Sequence, residues 1–301
     1  MAMAKSTLDQ LKVEADEKFR LSDHSARWLP EEVKDLSKDE RKQRAEQMLE
    51  SNKVELADAQ ELLYADGRHS VLIVFQAMDA AGKDGTIRHV MSGVNPQGCS
   101  VSSFKVPSAT EWSHNYLWRY SKALPARGMI GIFNRSYYEE VLVVKVHPEL
   151  LDKAGLPPSS RTPKLWEHRY EDINNFEQHL ARNGTTILKF FLNVSKEEQR
   201  QRFLDRLDEP DKNWKFSSGD IVERGFWDDY MAAFEDAVNA TSTPWAPWYV
   251  IPADRKWAMR TAVSDIITTT IKGLDLEYPT LPEEERARLA DAKAALLAES
   301  S

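Results

Sequence analysis

At 301 residues, with 42% hydrophobic and 29% charged residues, the chain has the balance of a soluble globular protein and can bury a core without disulfides or metals. Its net charge of −8 argues against a general coating of nucleic acid, and its single cysteine, Cys99, excludes an internal disulfide or a cysteine zinc site. No signal-like apolar core opens the chain and no stretch approaches ~18 uninterrupted apolar residues, so the expected location is the cytoplasm, with neither membrane nor nucleic acid as partner.

Residues 1–36 are charged and mixed and read as an irregular arm. Ser37-Lys38-Asp39-Glu40 is a capping box, in which the serine hydroxyl and the glutamate satisfy each other's backbone amides. Behind it Ala45, Met48, Leu49, Leu56, Ala59, Leu62 and Leu63 form an apolar stripe at helical spacing, ending at Gly67, which suits a left-handed helix stop. The run Val71–Phe75 is apolar at every position, as a strand buried on both faces requires. Similar runs follow at Val101–Val106, Met129–Phe133, Thr186–Leu192 and Trp248–Ile251. Helical patterns lie between them, with caps at Ser108–Glu111, Thr162-Pro163 and Ser195–Glu198 and a stop at Gly184. The alternation predicts an α/β fold of three layers, a five-stranded parallel sheet with helices on both faces. Residues 152–163 read as a surface loop, and Pro279–Ser301 as a helical tail. The expected organisation is an arm and helical extension over 1–66, a catalytic domain over 67–275 and the tail over 276–301.

The first strand runs into Gln76-Ala77-Met78-Asp79-Ala80-Ala81-Gly82-Lys83-Asp84-Gly85-Thr86 and then a helix. A helix N-terminus offers unpaired N–H groups and a partial positive charge to a phosphate, and a lysine entering it adds a full charge. Gly82 lets backbone approach the ligand closely. The match to a standard phosphate loop is imperfect: Ala77 replaces the first glycine, and Asp84 stands where a Mg²⁺-binding hydroxyl belongs. Asp79 inside the loop would repel phosphate unless a cation sat between them, which makes it a Mg²⁺ partner. The alternative is a plain βα turn with a surface lysine.

At the end of the third strand stands Asn134-Arg135-Ser136-Tyr137-Tyr138-Glu139-Glu140, at the same sheet edge as the loop, where ligands of open parallel sheets sit. Asn134 occupies the place of a Walker B acid and Arg135 is placed to meet phosphates. A simple helix cap would use the same residues. After the fourth strand, Lys196, Arg200, Arg202, Arg206, Lys212 and Lys215 form a basic helix and loop in an otherwise acidic chain, which reads as a lid over about residues 196–220. A solvated face paired with Glu197, Glu198, Asp205 and Asp208 is the competing reading.

Taken together, these three motifs resemble the type 2 polyphosphate kinase family over roughly residues 40–275. The resemblance rests on Asp79–Arg88, on Phe133–Glu139, and on Trp214-Lys215-Phe216-Ser217 with Asp220. It implies a P-loop kinase fold with a helical lid and Mg²⁺-dependent phosphoryl transfer between inorganic polyphosphate and nucleotides. By position it implies Asp79 and Lys83 in the phosphate loop with Gly82, Asp84, Gly85 and Thr86, and Arg88 as a further phosphate ligand. Arg135 becomes the Walker B arginine, and Arg200, Arg202, Arg206 and Lys215 become lid cations. Asn134 replaces the aspartate of other members, so Glu139 is the candidate second metal ligand. The Asn134 and Glu139 pattern resembles the subgroup that accepts nucleoside monophosphates as well as diphosphates. The resemblance and five aromatics expected at the surface (Trp112, Tyr116, Trp118, Trp227, Tyr230) favour a homo-oligomer, dimer or tetramer. The rivals are an ATP-dependent kinase of the same fold, which Asp79 disfavours, and a GTPase-like switch, whose guanine-reading motif is missing after the fourth strand.

Overall fold

The Ser37 side chain accepts from the Glu40 amide at 3.3 Å, and the Glu40 carboxylate accepts from the Ser37 amide at 2.8 Å. So capped, helix α1 (Lys38–Asp66) runs to Gly67, whose φ of 64° closes it in the left-handed conformation. This computed structural model describes residues 3, 5–15 and 17–299; the remaining positions of the arm and tail lie outside the described residues. The later helices of eight or more residues are α2 (Lys83–Val90), α3 (Leu165–Arg182), α4 (Lys196–Asp208), α5 (Ser218–Gly225), α6 (Trp227–Thr241), α7 (Lys256–Lys272) and α8 (Glu283–Ala298). The strands are β1 (Lys12–Val13), β2 (Ser70–Gln76), β3 (Cys99–Ser103), β4 (Ile130–Asn134), β5 (Thr185–Asn193) and β6 (Trp248–Pro252).

The sheet has six strands in the order β1-β6-β5-β2-β4-β3, one more than expected. The five expected strands are parallel, and β1 adds antiparallel to β6. Two residues are too few to show an alternating pattern, which is why β1 escapes sequence inspection. The arm that carries it is folded onto the body. Leu11, Val13 and Phe19 are buried, and Asn239 exchanges hydrogen bonds with the backbone of Phe19. Strand β3 begins and ends earlier than the run Val101–Val106, and as the outer edge it leaves Val101 half exposed and Val106 exposed. Helix α3 starts at Leu165, after Thr162 has accepted a bond from the Lys164 amide, so Thr162-Pro163 forms a preceding turn.

Strand β2 is buried along its whole length and pairs with both β4 and β5. From β2 the chain goes to the edge strand β3 and returns to β4 beside β2, then crosses to β5 and β6 on the other side. The loop after β2 therefore leaves the sheet where its winding reverses, the place where open α/β sheets hold ligands. Helix α7 packs against both α1 and α2, and α3 packs against α6. The tail helix α8 is exposed along its length. Among the described residues no helix is long and apolar enough to cross a membrane. Trp227 and Tyr230 are core residues rather than surface aromatics.

Candidate active site

Two residues of the loop between β2 and α2 take left-handed backbone angles, Ala80 at φ 60° and Gly82 at φ 109°. A Cβ at Gly82 would come within 3.2 Å of the Met259 Cε atom, so conformation and space both favour glycine there. Lys83 folds back over the loop and donates to the Ala77 carbonyl at 2.8 Å. Burial and the nearby Arg135 charge lower its ammonium pKa. A bound phosphate would reverse that cost by giving the charge a partner. Thr86 is fully buried and its hydroxyl donates to the Gly82 carbonyl at 3.0 Å, so it shapes the loop instead of facing a ligand. Asp84 accepts from the Asn134 amide group at 2.7 Å, joining the loop's helix to β4. Arg88 is exposed on α2.

Arg135 leaves β4 with φ 65°, its amide bonded to the Phe75 carbonyl at 3.1 Å. That conformation swings its guanidinium across the sheet edge to Asp79, where Nη2 donates to Oδ1 at 2.9 Å. Its other terminal nitrogen lies 3.7 Å from Glu139. The neighbouring Glu139 and then Asp79 carboxylates hold the Arg135 pKa above its usual value, and burial opposes them. Asp79, Arg135 and Glu139 thus form one chain of alternating charge beside the phosphate loop. A cavity of about 180 Å³ opens next to it, lined by these three with Glu223 and Tyr230, over Leu142 and Phe234.

The basic helix α4 divides. Arg202 is buried under the loop: Nη1 donates to the carbonyls of Ala80 (3.1 Å) and Ala81 (2.7 Å), and Nη2 to that of Ala253 (2.6 Å). Glu198 accepts from its Nε at 2.8 Å. Arg202 therefore supports the loop from beneath, a correction to its expected place among the lid cations. The same bond takes Glu198 away from the Ser195 cap, so only the serine half of that box forms. Arg200 points to solvent and pairs with Glu197 at 2.8 Å. Arg206 remains at the site, 3.8 Å from Asp220 on α5. Burial and then Asp79 push the Asp220 carboxyl up, and Glu223 on the same helix lines a cavity with Asp79, so α5 stands against the loop. Lys215 closes the 3-10 turn Pro210–Lys215; its side chain, like that of Lys212, lies outside those described.

Three comparisons bear on this geometry. The model of the polyphosphate kinase 2 family matches residues 37–279, from the cap of α1 to just beyond α7. The chain belongs to that family. An ADP-polyphosphate phosphotransferase of Rhodopseudomonas palustris is 53% identical over 259 residues, covering 86% of this chain and 90% of its own. An AMP/ADP-polyphosphate phosphotransferase of Meiothermus ruber is 52% identical over 224 residues, covering 74% of this chain and 80% of its own. The crystal structure of polyphosphate kinase 2 from Arthrobacter aurescens superposes with a TM-score of 0.84 at 38% identity, over 97% of this chain and all of that one. The P-loop architecture and the class of enzyme, a polyphosphate:nucleotide phosphotransferase, are those of the family.

For a polyphosphate kinase 2 the donor set at the loop is all oxygen: Asp79 and Glu139 line the cavity, and Asp84, bonded to Asn134, stands at the start of α2. Among the described residues no three acidic, histidine or cysteine side chains form a ready-made metal cage. Two carboxylates, with phosphate oxygens and water to complete the shell, suit a hard cation such as Mg²⁺. Three contributors carry no sequence signal of their own. Gln199 donates to the Asp79 carbonyl at 2.9 Å, Glu223 accepts from Tyr230 at 2.6 Å, and Arg260 reaches Gly85 from α7. Only the packing of α4, α5 and α7 against the loop brings them in.

Proposed function

We propose that this polyphosphate kinase 2 moves phosphoryl groups reversibly between inorganic polyphosphate and nucleotides with Mg²⁺, making ATP from ADP and ADP from AMP. The observation that carries the reading is the Asp79 carboxylate inside the phosphate loop, 2.9 Å from Arg135 and next to Lys83. Phosphoryl transfer asks for positioning and charge neutralisation more than for covalent help. Lys83 and the first amides of α2 hold the transferred group, and Gly82 and Gly85 let it approach the backbone. Arg135 meets the charge that develops on the phosphate chain, with Asp79 and Glu139 fixing where it stands. The acceptor is a phosphate oxygen already ionised at neutral pH, so the site needs no general base. Bound Mg²⁺, held by Asp79 and Glu139, would neutralise and align phosphate oxygens. Arg206 at the lid is one cation available to a polyanion, an attraction that salt weakens. Glu139 supports acceptance of AMP, because a shorter acceptor depends more on fixed groups at its α-phosphate.

Incubating the purified protein with polyphosphate and Mg²⁺ and, in turn, AMP, ADP and GDP tests this, with products separated by anion-exchange chromatography. Phosphorylated nucleotide without added ATP supports the reading. Product that forms only when ATP is the donor would assign an ATP-dependent kinase instead.

A further inference from the structure

Arg169, Ile173 and Glu177 recur every fourth residue along α3 and are all buried, so one helix face carries two charges into the interior. Buried charges persist only when paired and hydrogen-bonded. Glu177 Oε1 accepts from the Tyr137 hydroxyl at 2.8 Å and the Tyr138 hydroxyl at 2.9 Å. Its Oε2 accepts from Lys189 Nζ, on β5, at 2.6 Å. Lys189 also donates to the Tyr138 hydroxyl at 2.9 Å and to the Thr241 carbonyl at 2.7 Å. Both tyrosines, Glu177 and Lys189 are fully inaccessible to solvent. Two turns earlier along the helix, Arg169 donates to the Glu140 carboxylate at 3.2 Å and to the Glu140 carbonyl.

The groups being gripped, Tyr137, Tyr138 and Glu140, flank Glu139 on both sides. That turn begins at Ser136, buried against Gln76 at the end of β2, and Ser136 follows Arg135. One helix face therefore holds the short segment that presents both Arg135 and Glu139 to Asp79. An apolar trio of equal volume would stabilise the core as well or better, since buried ion pairs lose to desolvation much of what they gain. Hydrogen bonds from named atoms do what apolar packing does not: they are directional, so they fix the turn's register and height against the helix.

We propose that Glu177, Lys189 and Arg169 are positioning residues that clamp the turn over residues 136–140, and that this clamp sets how well the site uses a nucleoside monophosphate relative to a diphosphate. The assignment rests on the reading of Arg135 and Glu139 given above. A displacement of 1 Å at a reacting group can cost about 10²-fold in rate. AMP is the more sensitive acceptor, because it lacks the second phosphate that gives ADP another hold.

Two variants test it. Tyr138→Phe keeps the ring and the Lys189–Glu177 pair but removes one hydroxyl from the grip. Glu177→Gln with Lys189→Met removes both charges together and leaves no lone ion in the core. Two readouts are taken on each: amide hydrogen exchange over residues 135–142, and kcat and KM with AMP and with ADP. Tyr138→Phe is expected to speed exchange in that segment about tenfold while β2 and β5 stay protected, and to lower kcat for AMP about tenfold more than kcat for ADP with little change in KM. The double variant should show the same pattern more strongly. Parent-like exchange in Tyr138→Phe, or equal losses with both acceptors, would make the network structural only and overturn the proposal. If the double variant fails to fold, Tyr138→Phe decides alone. A parent enzyme that makes no ADP from AMP would instead overturn the acceptor assignment, and the exchange measurement would still decide the clamp.

Discussion

Replacing Arg202 by methionine distinguishes a support of the phosphate loop from a lid cation. The guanidinium makes close bonds to the carbonyls of Ala80, Ala81 and Ala253 at 3.1, 2.7 and 2.6 Å and to Glu198 at 2.8 Å, with its side chain only 6% exposed. Methionine fills similar space and offers no donor. Hydrogen bonds to a charged group contribute roughly 1.5–3 kcal/mol each, but removing one partner of a buried network costs about 3–5 kcal/mol in total because the contributions do not add. Glu198 is partly exposed and regains water, so the expected loss is about 4 kcal/mol. For a chain of this size each kcal/mol lowers the melting temperature by about 2–4 °C, so a fall of about 10 °C is expected. The same bonds hold Ala80 in its left-handed conformation, so the loop should lose its shape and kcat should fall at saturating polyphosphate. Arg202→Lys should rescue little, since an ammonium cannot reproduce the fork. Differential scanning fluorimetry and initial rates over a range of polyphosphate concentrations measure both effects. A variant that melts with the parent and shows only a raised KM for polyphosphate would refute this assignment.

Lys83→Met and Asp79→Asn should each lower kcat by about 10²-fold or more while leaving the melting temperature within a few degrees of the parent, because each removes charge at the reacting phosphate. Initial rates at saturating Mg²⁺ check this; losses of only a few-fold would displace both residues from the site. Arg206→Ala should raise KM for polyphosphate and flatten its dependence on salt, with kcat nearly unchanged, since this guanidinium lies over the Phe203 ring and 3.8 Å from Asp220, a loose pairing that a polyanion can replace. A chain ending at residue 278 should melt and turn over as the full chain does, because α8 lies exposed along its length.

Local signals were legible in the chain and packing was not. The capping box at Ser37, the glycine stop at Gly67 and the apolar run of β2 each depend on neighbours in sequence, and each is found in place. Strand β1 depends on an edge offered by β6, far along the chain. Arg202 and Arg206 sit four apart and look equivalent as sequence, yet one turns under the loop to Ala81 and the other faces Asp220. Thr86 follows the motif as a ligand would, but its hydroxyl closes onto Gly82. Trp227 and Tyr230 read as surface aromatics because nothing local reveals what covers them. The meeting of Asp79 with Arg135 was legible only as two motifs at one sheet edge, and the left-handed turn at Arg135 converts that proximity into a contact.

The most direct measurement follows the phosphoryl group itself. Polyphosphate labelled with ³²P is incubated with the protein, Mg²⁺ and unlabelled ADP, with no ATP added, and the label is traced after separation. Label in the γ-phosphate of ATP, at a rate abolished in Asp79→Asn, is the predicted result. Label that appears only as inorganic phosphate, with ADP unchanged, would contradict transfer to a nucleotide and leave a hydrolase in its place.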